Sequence, residues 1–483
     1  LIVADPKRIP LAEDADIYLQ MNPGTSVALT NGMLHVIFKE GLEDKEYIRK
    51  HTVGVEELKA TVTKYTPEYT GEICGLDPED ITEAARMYAT AASSYIAYAM
   101  GITQHINGTQ NVISMSNLAM VTGNIGKTGA GVNPLRGQNN VQGACDMGAL
   151  PGDYPGYQKV TSQVSKEKFE KAWRVNLPDN AGLTVTTVPE EILHDKVKLL
   201  YIMGENPIVS DPDTRHMEKA LDKAFVIVQD IFLNETTEFA DIILPSTCFA
   251  ETEGTFTNTE RRVQRVRKAV EPKGESREDW QILADIMNRI GYQCTYTSAR
   301  DIYDEMRELT PSYKGITYER IEDEGLCWPC PAEDHPGTPV LHMDGPVIGK
   351  GVLVSVEHNP SAETMLADYP IVLMTGRVLE HYHTRTMTKL THQIDEKYPE
   401  NYIEISLEDA EKLGINNGDK VRVASLRGEI QTTAVLSTGL KAGTAFMPFH
   451  FGEGANILTD AETLDPTSKI PGFKQTGINI SPI

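Results

Sequence analysis

Four short runs of mainly apolar residues, each ending at an acidic residue or a glycine, constrain the fold of this chain more than any other feature. They are Leu1–Asp5, Tyr95–Met100 before Gly101, Lys198–Met203 before Gly204, and Phe225–Gln229 before Asp230. Such runs are typical of parallel strands buried on both faces. In open α/β folds, nucleotides bind beyond the carboxyl ends of these strands. The pattern predicts an α/β chain with two nucleotide-binding half-sites, although strand–glycine turns recur in any doubly wound fold.

The remaining segments extend this prediction into a domain plan. We expect helices that begin at about 26, 80, 111, 213 and 279. After Tyr369, a helix start at Ser406-x-x-Asp409 and alternating strands predict a β-barrel-like domain. We therefore predict Rossmann-like cofactor domains at 1–138 and 139–248, a further segment with a linker at 249–345, and the barrel domain at 346–483.

The net charge of the chain indicates which classes of molecule it would repel. Its formal net charge is −24, with 40% hydrophobic residues. A polyanion of this kind argues against nucleic acid and anionic membranes as partners. No run of 18 apolar residues is present, so no transmembrane helix is predicted. Composition thus predicts an acidic cytoplasmic enzyme.

Cysteine and histidine spacing does not predict a complete metal site. The six cysteines are scattered, and Cys327 and Cys330 have metal-ligand spacing without a second pair. A reduced pair in a proline-rich loop is the favoured interpretation. His381 and His383 could also be read as metal ligands, but a third ligand is not evident.

The polar stretch 131–148 is the strongest candidate for a functional loop. It contains four glycines, three asparagines and two glutamines, and no helix or strand period runs through it. Arg136 is its only fixed charge until Asp146, and a guanidinium suits a carboxylate ligand. The alternative is an ordinary asparagine- and glycine-rich surface loop.

Residues 136–148, Arg-Gly-Gln-Asn-Asn-Val-Gln-Gly-Ala-Cys-Asp-Met-Gly, resemble the signature of molybdopterin-dependent formate dehydrogenase catalytic subunits. The similarity covers essentially the whole chain. It implies two molybdopterin guanine dinucleotides around molybdenum or tungsten, a [4Fe-4S] cluster, an iron–sulfur partner subunit and a double-psi-type barrel. In that family the cluster cysteines and the metal-ligating cysteine or selenocysteine lie before the equivalent of Leu1. We therefore expect that the given sequence lacks that segment and the metal ligand.

The resemblance also assigns site residues. It implies that Arg136 and Gln138 are catalytic and that Gly137 contacts the cofactor. One dinucleotide would contact Asp5, Met100, Gly101 and Gln104, and the other Gly204, Glu205, Asn206, Ser210, Gln229, Asp230, Ser246 and Asp279. In the barrel, pterin- or phosphate-contacting positions are matched by Arg377, His381, His383, Asn456, Phe473 and Lys474. Asp279 could instead simply cap the helix that follows it.

Three functions remain open at this point. The leading prediction is interconversion of formate and carbon dioxide, with electrons leaving through iron–sulfur clusters. A second keeps the cofactor but changes the substrate, for example to nitrate, although Arg-Gly-Gln-Asn-Asn argues against it. The third is a non-catalytic fragment or scaffold, which the expected absence of a metal ligand keeps open.

Overall fold

The computed structural model describes residues 1–361 and 367–483, which adopt a mixed α/β fold. The chain divides into two compact units, each built from separated stretches. Unit 1 comprises Leu1–Asn133, Asn206–Glu218 and His342–Ile483. Unit 2 comprises Pro134–Glu205 and Lys219–Leu341. Among the described residues, no helix is both long and apolar enough to cross a membrane.

The α-helices among the described residues follow in chain order: α1 (Ser26–Glu40), α2 (Lys45–His51), α3 (Val55–Val62), α4 (Pro67–Cys74), α5 (Pro78–Thr90), α6 (Met100–Thr103), α7 (Gly108–Val121), α8 (Val141–Asp146), α9 (Gln163–Trp173), α10 (Val188–Leu193), α11 (Pro207–Ser210), α12 (Thr214–Leu221), α13 (Asp279–Arg289), α14 (Ala299–Leu309), α15 (His392–Asp395) and α16 (Leu407–Leu413).

The strands are equally short and follow in the same order: β1 (Ile2–Ala4), β2 (Ile17–Leu19), β3 (Thr52–Val53), β4 (Tyr95–Tyr98), β5 (Gly131–Pro134), β6 (Asp153–Tyr154), β7 (Gln158–Lys159), β8 (Leu199–Met203), β9 (Phe225–Asp230), β10 (Ile242–Pro245), β11 (Gly254–Thr257), β12 (Arg262–Val266), β13 (Leu326–Cys327), β14 (Gly351–Val352), β15 (Ile371–Gly376), β16 (Tyr402–Ser406), β17 (Lys420–Ala424), β18 (Glu429–Ser437), β19 (Thr444–Pro448) and β20 (Thr476–Pro482).

A helical cluster forms one core of unit 1. Helix α1 buries most of its residues, in agreement with its apolar sequence, and ends where Gly41 adopts φ 71°. Helix α5 starts at Pro78, and the Asp77 side chain accepts a hydrogen bond from Glu79 N. Their apolar residues join one cluster of buried side chains that also includes Leu353. The cluster includes Ile17 and Leu19 of β2, which pairs in parallel with β1.

The second core of unit 1 fills a closed barrel. Its strands are ordered β15-β19-β16-β18-β17-β20, with parallel pairing of β15 to β19 and β16 to β18. Ser406 caps α16 by accepting from Asp409 N, and Gly414 ends that helix at φ 68°. The barrel predicted from strand alternation is therefore confirmed. Closure pairs every strand, which leaves no free sheet edge.

Unit 2 contains the parallel three-stranded sheet β10-β9-β8. Met203 at the end of β8 lies opposite Gln229 on β9, so two of the predicted strand ends are neighbours. Asp230 lies opposite Pro245 on β10. Strands β11, β12 and β13 form a separate antiparallel sheet over a small core that includes Tyr303 and Tyr313.

The structure corrects two sequence-based expectations. The loop 131–148 is not without regular structure, because it contains β5 and helix α8. Strand β4 ends at Tyr98 rather than at Met100, and Met100 and Gly101 lie in the short helix α6. The His105 ring bonds the Gly101 carbonyl at 2.8 Å, which stabilises that helical turn. Strands β1 and β4 pair with β2 and β5, not with each other.

Candidate functional site

In unit 2, polar side chains gather at the carboxyl ends of β8, β9 and β10. The Tyr201 hydroxyl donates to Gln229 Oε1, and Gln229 Nε2 donates to Asp279 Oδ1 at 2.6 Å. Ser246, at the end of β10, also hydrogen-bonds the Asp279 carboxylate. Helix α13 has Glu278 as its N-cap, without a side-chain cap bond, so Asp279 is not the capping residue. Its carboxylate is instead held toward the strand ends.

Three carboxyl groups at this edge have raised pKa values. Burial raises the pKa of Glu205, Asp230 and Asp279 above the usual range. Glu205 and Asp279 nevertheless remain accessible to solvent. Asp230 accepts from Asn234 Nδ2 at 2.9 Å and from Ile231 N at 2.6 Å. A ligand that donates hydrogen bonds, such as a ribose hydroxyl or a guanine edge, would stabilise carboxylates of this kind.

Gly204 gives this edge room for a ligand. Its φ of 65° turns the chain directly after β8, and a Cβ there would meet nothing within 4 Å. Its N–H donates to the Gln229 carbonyl at 2.9 Å, which fixes the turn against β9. The backbone is thus open to close approach at the point where the carboxyl groups meet.

In unit 1, cationic side chains gather beside the barrel. Burial, with a smaller contribution from the charge of Arg377, lowers the pKa of Lys474 to about 8, and burial also lowers the pKa of Arg377. Arg377 lies over the Phe449 ring at 5.4 Å, and Lys474 Nζ donates to the Thr375 carbonyl at 2.5 Å. Neither forms an ion pair with a carboxylate of the described residues. Cations that lack an ion-paired carboxylate are suited to binding phosphate.

The acid Asp5 contributes to the same neighbourhood. Burial raises its pKa, while Lys7 N donates to Asp5 Oδ1 at 2.8 Å and the charges of Lys7 and Lys474 oppose the shift. Gln104 accepts from Lys474 N at 3.3 Å through its backbone oxygen. Gly101 has open space where a Cβ would stand, and Met100 is 39% exposed. The structure therefore brings Asp5 and Gln104 to Lys474.

Two of the barrel histidines have defined roles in the structure. His381 Nε2 donates to the Tyr398 carbonyl at 2.6 Å, and Nδ1 accepts from the Thr388 hydroxyl at 3.1 Å, so this ring anchors its loop. Burial, together with the charge of Arg377, lowers the pKa of His383 to about 4. The neutral His383 ring therefore adds no charge beside Arg377. Within the described parts of the chain, no group of three or more His, Cys, Asp or Glu side chains is arranged to hold a metal ion.

The other barrel-side residues are held mainly by backbone contacts. Buried Asn456 donates to the Val209 carbonyl at 2.7 Å, next to Ser210, whose hydroxyl donates to Asp211 at 2.9 Å. Asn206 is buried at the start of α11. The Phe473 carbonyl accepts from Thr375 N at 3.2 Å and from the Thr375 hydroxyl at 2.9 Å, which ties the chain before Lys474 to β15.

The signature loop presents Arg136 as an exposed cation in unit 2. Arg136 Nε donates to Gln142 Oε1 at 3.2 Å, and its backbone N–H donates to the Thr259 hydroxyl at 3.4 Å. Gly137 is exposed beside it, and the Gln138 carbonyl accepts from Val141 N at 3.4 Å, where α8 begins. No carboxylate of the described residues forms an ion pair with Arg136. The loop therefore offers a fixed positive charge together with amide groups.

Sequence reasoning missed the network that supports this loop. The Asp146 carboxylate accepts from Gln142 Nε2 and Trp328 Nε1, each at 2.8 Å, and from the Tyr157 and Tyr313 hydroxyls. Asp146 was visible in the loop sequence, but three of its partners lie 11, 167 and 182 residues away. Spacing carries no signal for contacts at such separations.

The residues present fit the dinucleotide that the resemblance implies, as judged within each unit. Unit 1 supplies cations without an ion pair, which match phosphate. Unit 2 supplies carboxyl acceptors with raised pKa values around an open glycine turn, which match ribose and guanine.

The chain is similar to known proteins along its whole length. Residues 1–289 match the molybdopterin oxidoreductase family, and residues 371–477 match the molybdopterin dinucleotide binding domain. The chain is 51% identical to the F420-dependent formate dehydrogenase subunit alpha of Methanocaldococcus jannaschii, over 100% of this chain and 72% of that protein. It is 42% identical to formate dehydrogenase H of Escherichia coli, over 100% of this chain and 69% of that protein.

A solved structure supports the fold independently. Acetylene hydratase from Pelobacter acetylenicus matches with a TM-score of 0.79 and 20% identity, over 100% of this chain and 73% of that one. At this identity the match shows the fold alone. The family match to residues 1–289 and the two relatives show that this chain belongs to the molybdopterin oxidoreductase family.

Proposed function

We propose that the chain is the catalytic subunit of a formate dehydrogenase, which oxidises formate to carbon dioxide or runs the reverse reaction. The single observation that carries this proposal is the exposed, unpaired Arg136 in a loop of the formate dehydrogenase type. The identities of 51% and 42% to proteins named formate dehydrogenase support it. A planar guanidinium can hold both oxygens of a small carboxylate.

The chain's own residues have two tasks in this proposal. Arg377 and Lys474 hold dinucleotide phosphate, while Glu205, Asp230 and Asp279 accept from ribose or guanine, with Asp5, Gln229 and Ser246 in support. A bis-molybdopterin guanine dinucleotide centre, with molybdenum or tungsten, supplies the two-electron redox chemistry when bound. Arg136 orients formate so that its C–H bond points toward that centre, which is catalysis by orientation. Gln138 adds an amide beside the substrate.

The electron path extends beyond the residues described here. We propose a [4Fe-4S] cluster, a cysteine or selenocysteine metal ligand that is not among these residues, and an iron–sulfur partner subunit. The remaining residues are proposed as further cofactor contacts. They are the exposed Met100 and Gly101, the barrel residues His381, His383, Asn456 and Phe473, and Gly137, Gln104, Gly204, Asn206 and Ser210. The cytoplasmic location predicted from composition stays a prediction.

Formate-dependent reduction of a viologen dye by the intact, anaerobically purified enzyme tests the proposed function. We expect turnover with formate, and none when reduced dye is offered with nitrate. Metal and nucleotide are quantified in the same preparation. Turnover with nitrate instead of formate would establish the alternative substrate, and a fully loaded protein inactive with both would support the scaffold alternative.

A further inference from the structure

Gln142 stands between a cation and a buried carboxylate. Its Oε1 accepts from Arg136 Nε at 3.2 Å, and its Nε2 donates to Asp146 Oδ1 at 2.8 Å and to the Tyr157 hydroxyl at 2.9 Å. An ionised carboxylate only accepts hydrogen bonds, so the amide nitrogen must face Asp146. The amide oxygen is therefore left to face Arg136. The side chain of Gln142 is itself buried, with 7% exposure.

The Asp146 carboxylate is held without a cation in contact. It is 0% exposed, and each oxygen accepts from two donors. Gln142 Nε2 and the Tyr157 hydroxyl reach Oδ1, while the Tyr313 hydroxyl and Trp328 Nε1 reach Oδ2. Neutral donors thus satisfy the buried charge completely. The nearby Arg136 guanidinium is not needed to neutralise it.

We propose that Gln142 is a positioning residue whose neutral amide fixes the Arg136 guanidinium while keeping it one side chain away from the Asp146 carboxylate. This inference rests on the proposed role of Arg136 in binding formate. A direct ion pair would hold the guanidinium equally well, but it would occupy the charge that a carboxylate substrate needs. The amide holds the guanidinium at Nε but contributes no charge of its own. The positive charge of Arg136 therefore stays available to the substrate.

The other contacts of Arg136 also hold it without pairing its charge. The guanidinium also lies within hydrogen-bonding reach of the Cys145 thiol, and burial raises the pKa of that thiol, so it stays neutral. The Thr259 hydroxyl holds the Arg136 backbone, and Asn140 Oδ1 accepts from Thr257 N at 2.9 Å. Every described contact of Arg136 is therefore with a neutral group.

Gln142→Leu tests the positioning role. In the intact enzyme we expect kcat/KM for formate to fall by about 10-fold, because a hydrogen bond to a charged group is lost. The KM for formate and the inhibition constant for azide should rise together, with metal and nucleotide content unchanged. A double-mutant cycle with Arg136→Ala should show that Gln142→Leu costs almost nothing further once Arg136 is removed. Equal losses in both backgrounds would overturn the positioning role.

The double variant Gln142→Glu with Asp146→Asn tests whether the side chain at position 142 must be neutral. Exchanging the amide and the carboxylate preserves the hydrogen-bond pattern, because the Tyr157 hydroxyl can reverse its direction while Tyr313 and Trp328 still donate to an oxygen at position 146. We expect wild-type Tm but at least a 10-fold loss in kcat/KM for formate, since the new carboxylate at position 142 pairs with Arg136. Recovery of both stability and formate kinetics would overturn the proposal.

Gln158 provides a matched control in the same unit. Its Oε1 accepts from Lys168 Nζ at 2.8 Å, and its Nε2 donates to the Pro155 and Leu309 carbonyls, so its bonding pattern resembles that of Gln142. Gln158→Leu should lower Tm while leaving the KM for formate unchanged. If both glutamine variants change KM alike, the effect is general loosening and the proposal fails.

The cycle also separates this inference from the proposed function. Should Arg136→Ala keep wild-type formate kinetics, the substrate role of Arg136 and the positioning role of Gln142 would fail together, while formate turnover as the function would stand. Should Arg136→Ala lose formate turnover while Gln142→Leu retains it, only the positioning role would fail and the proposed function would stand.

Discussion

Removal of the Arg136 guanidinium is the most direct perturbation of the proposed substrate site. The side chain is exposed, its side-chain hydrogen-bond partners are the Gln142 amide at 3.2 Å and the Cys145 thiol, and it forms no ion pair with a described residue. Its loss should therefore disturb the fold little. A charge-assisted contact to formate that strengthens in the transition state is worth on the order of 2–4 kcal/mol, or roughly 30- to 1000-fold in kcat/KM.

The assay compares Arg136→Ala, Arg136→Lys and the control Arg300→Ala, an exposed arginine of α14 that pairs with Glu319. Arg136→Ala should keep metal and nucleotide but lose formate turnover and azide inhibition together. Arg136→Lys should recover only part of the rate, because an ammonium is a point charge without two parallel donors. Arg300→Ala should behave as wild type. Loss of cofactor from Arg136→Ala, or a normal KM for formate, would refute a substrate role.

Three further expectations concern the cofactor residues. Acid extraction of the intact enzyme should release two GMP equivalents per metal atom, and a ratio of one would contradict the two half-sites. Gly204→Ala and Gly414→Ala both force an alanine to φ near 65–68° in open space, and each should cost about 1–2 kcal/mol of stability. Only Gly204→Ala should also lower the nucleotide content. Equal nucleotide loss in both variants would contradict a contact at Gly204. Burial lowers the pKa of Lys474 to about 8, so the unfolded chain binds more protons and the cofactor-free protein should become more stable as pH rises from about 8 to 10. Thermal melts of Lys474→Met should lose this dependence, and an unchanged slope would contradict it.

Short sequence patterns predicted those helices and strands whose ends are determined by neighbouring residues. The strand ending at Met203, the helix from Ser26 and the helix between Ser406 and Gly414 are all present. In each case, apolar burial, a capping side chain or a glycine at positive φ acts within a few residues. The mixed α/β fold and the closed barrel could be predicted on this basis together with the family resemblance.

Contacts between distant residues could not be predicted in this way. Helix α8 contains Gly143 and polar residues, so its sequence has no apolar period, and Asn140 and Asp146 fix it through residues of later strands and loops. The bond between Gln229 and Asp279 likewise joins two elements 50 residues apart. The predicted domain boundaries and the individual roles of the site residues remain predictions.

The division of both units into separated stretches has a consequence for synthesis of the protein. Unit 1 needs residues on both sides of unit 2, since its helical cluster is completed by Leu353 and its barrel lies wholly in the last stretch. A ribosome that adds about 5–20 residues per second needs roughly 10–40 s to pass from Asn133 to His342. Throughout that interval the first stretch must keep an incomplete apolar surface from aggregating. A chaperone bound to nascent chains should therefore protect Leu1–Asn133 until the residues after His342 emerge.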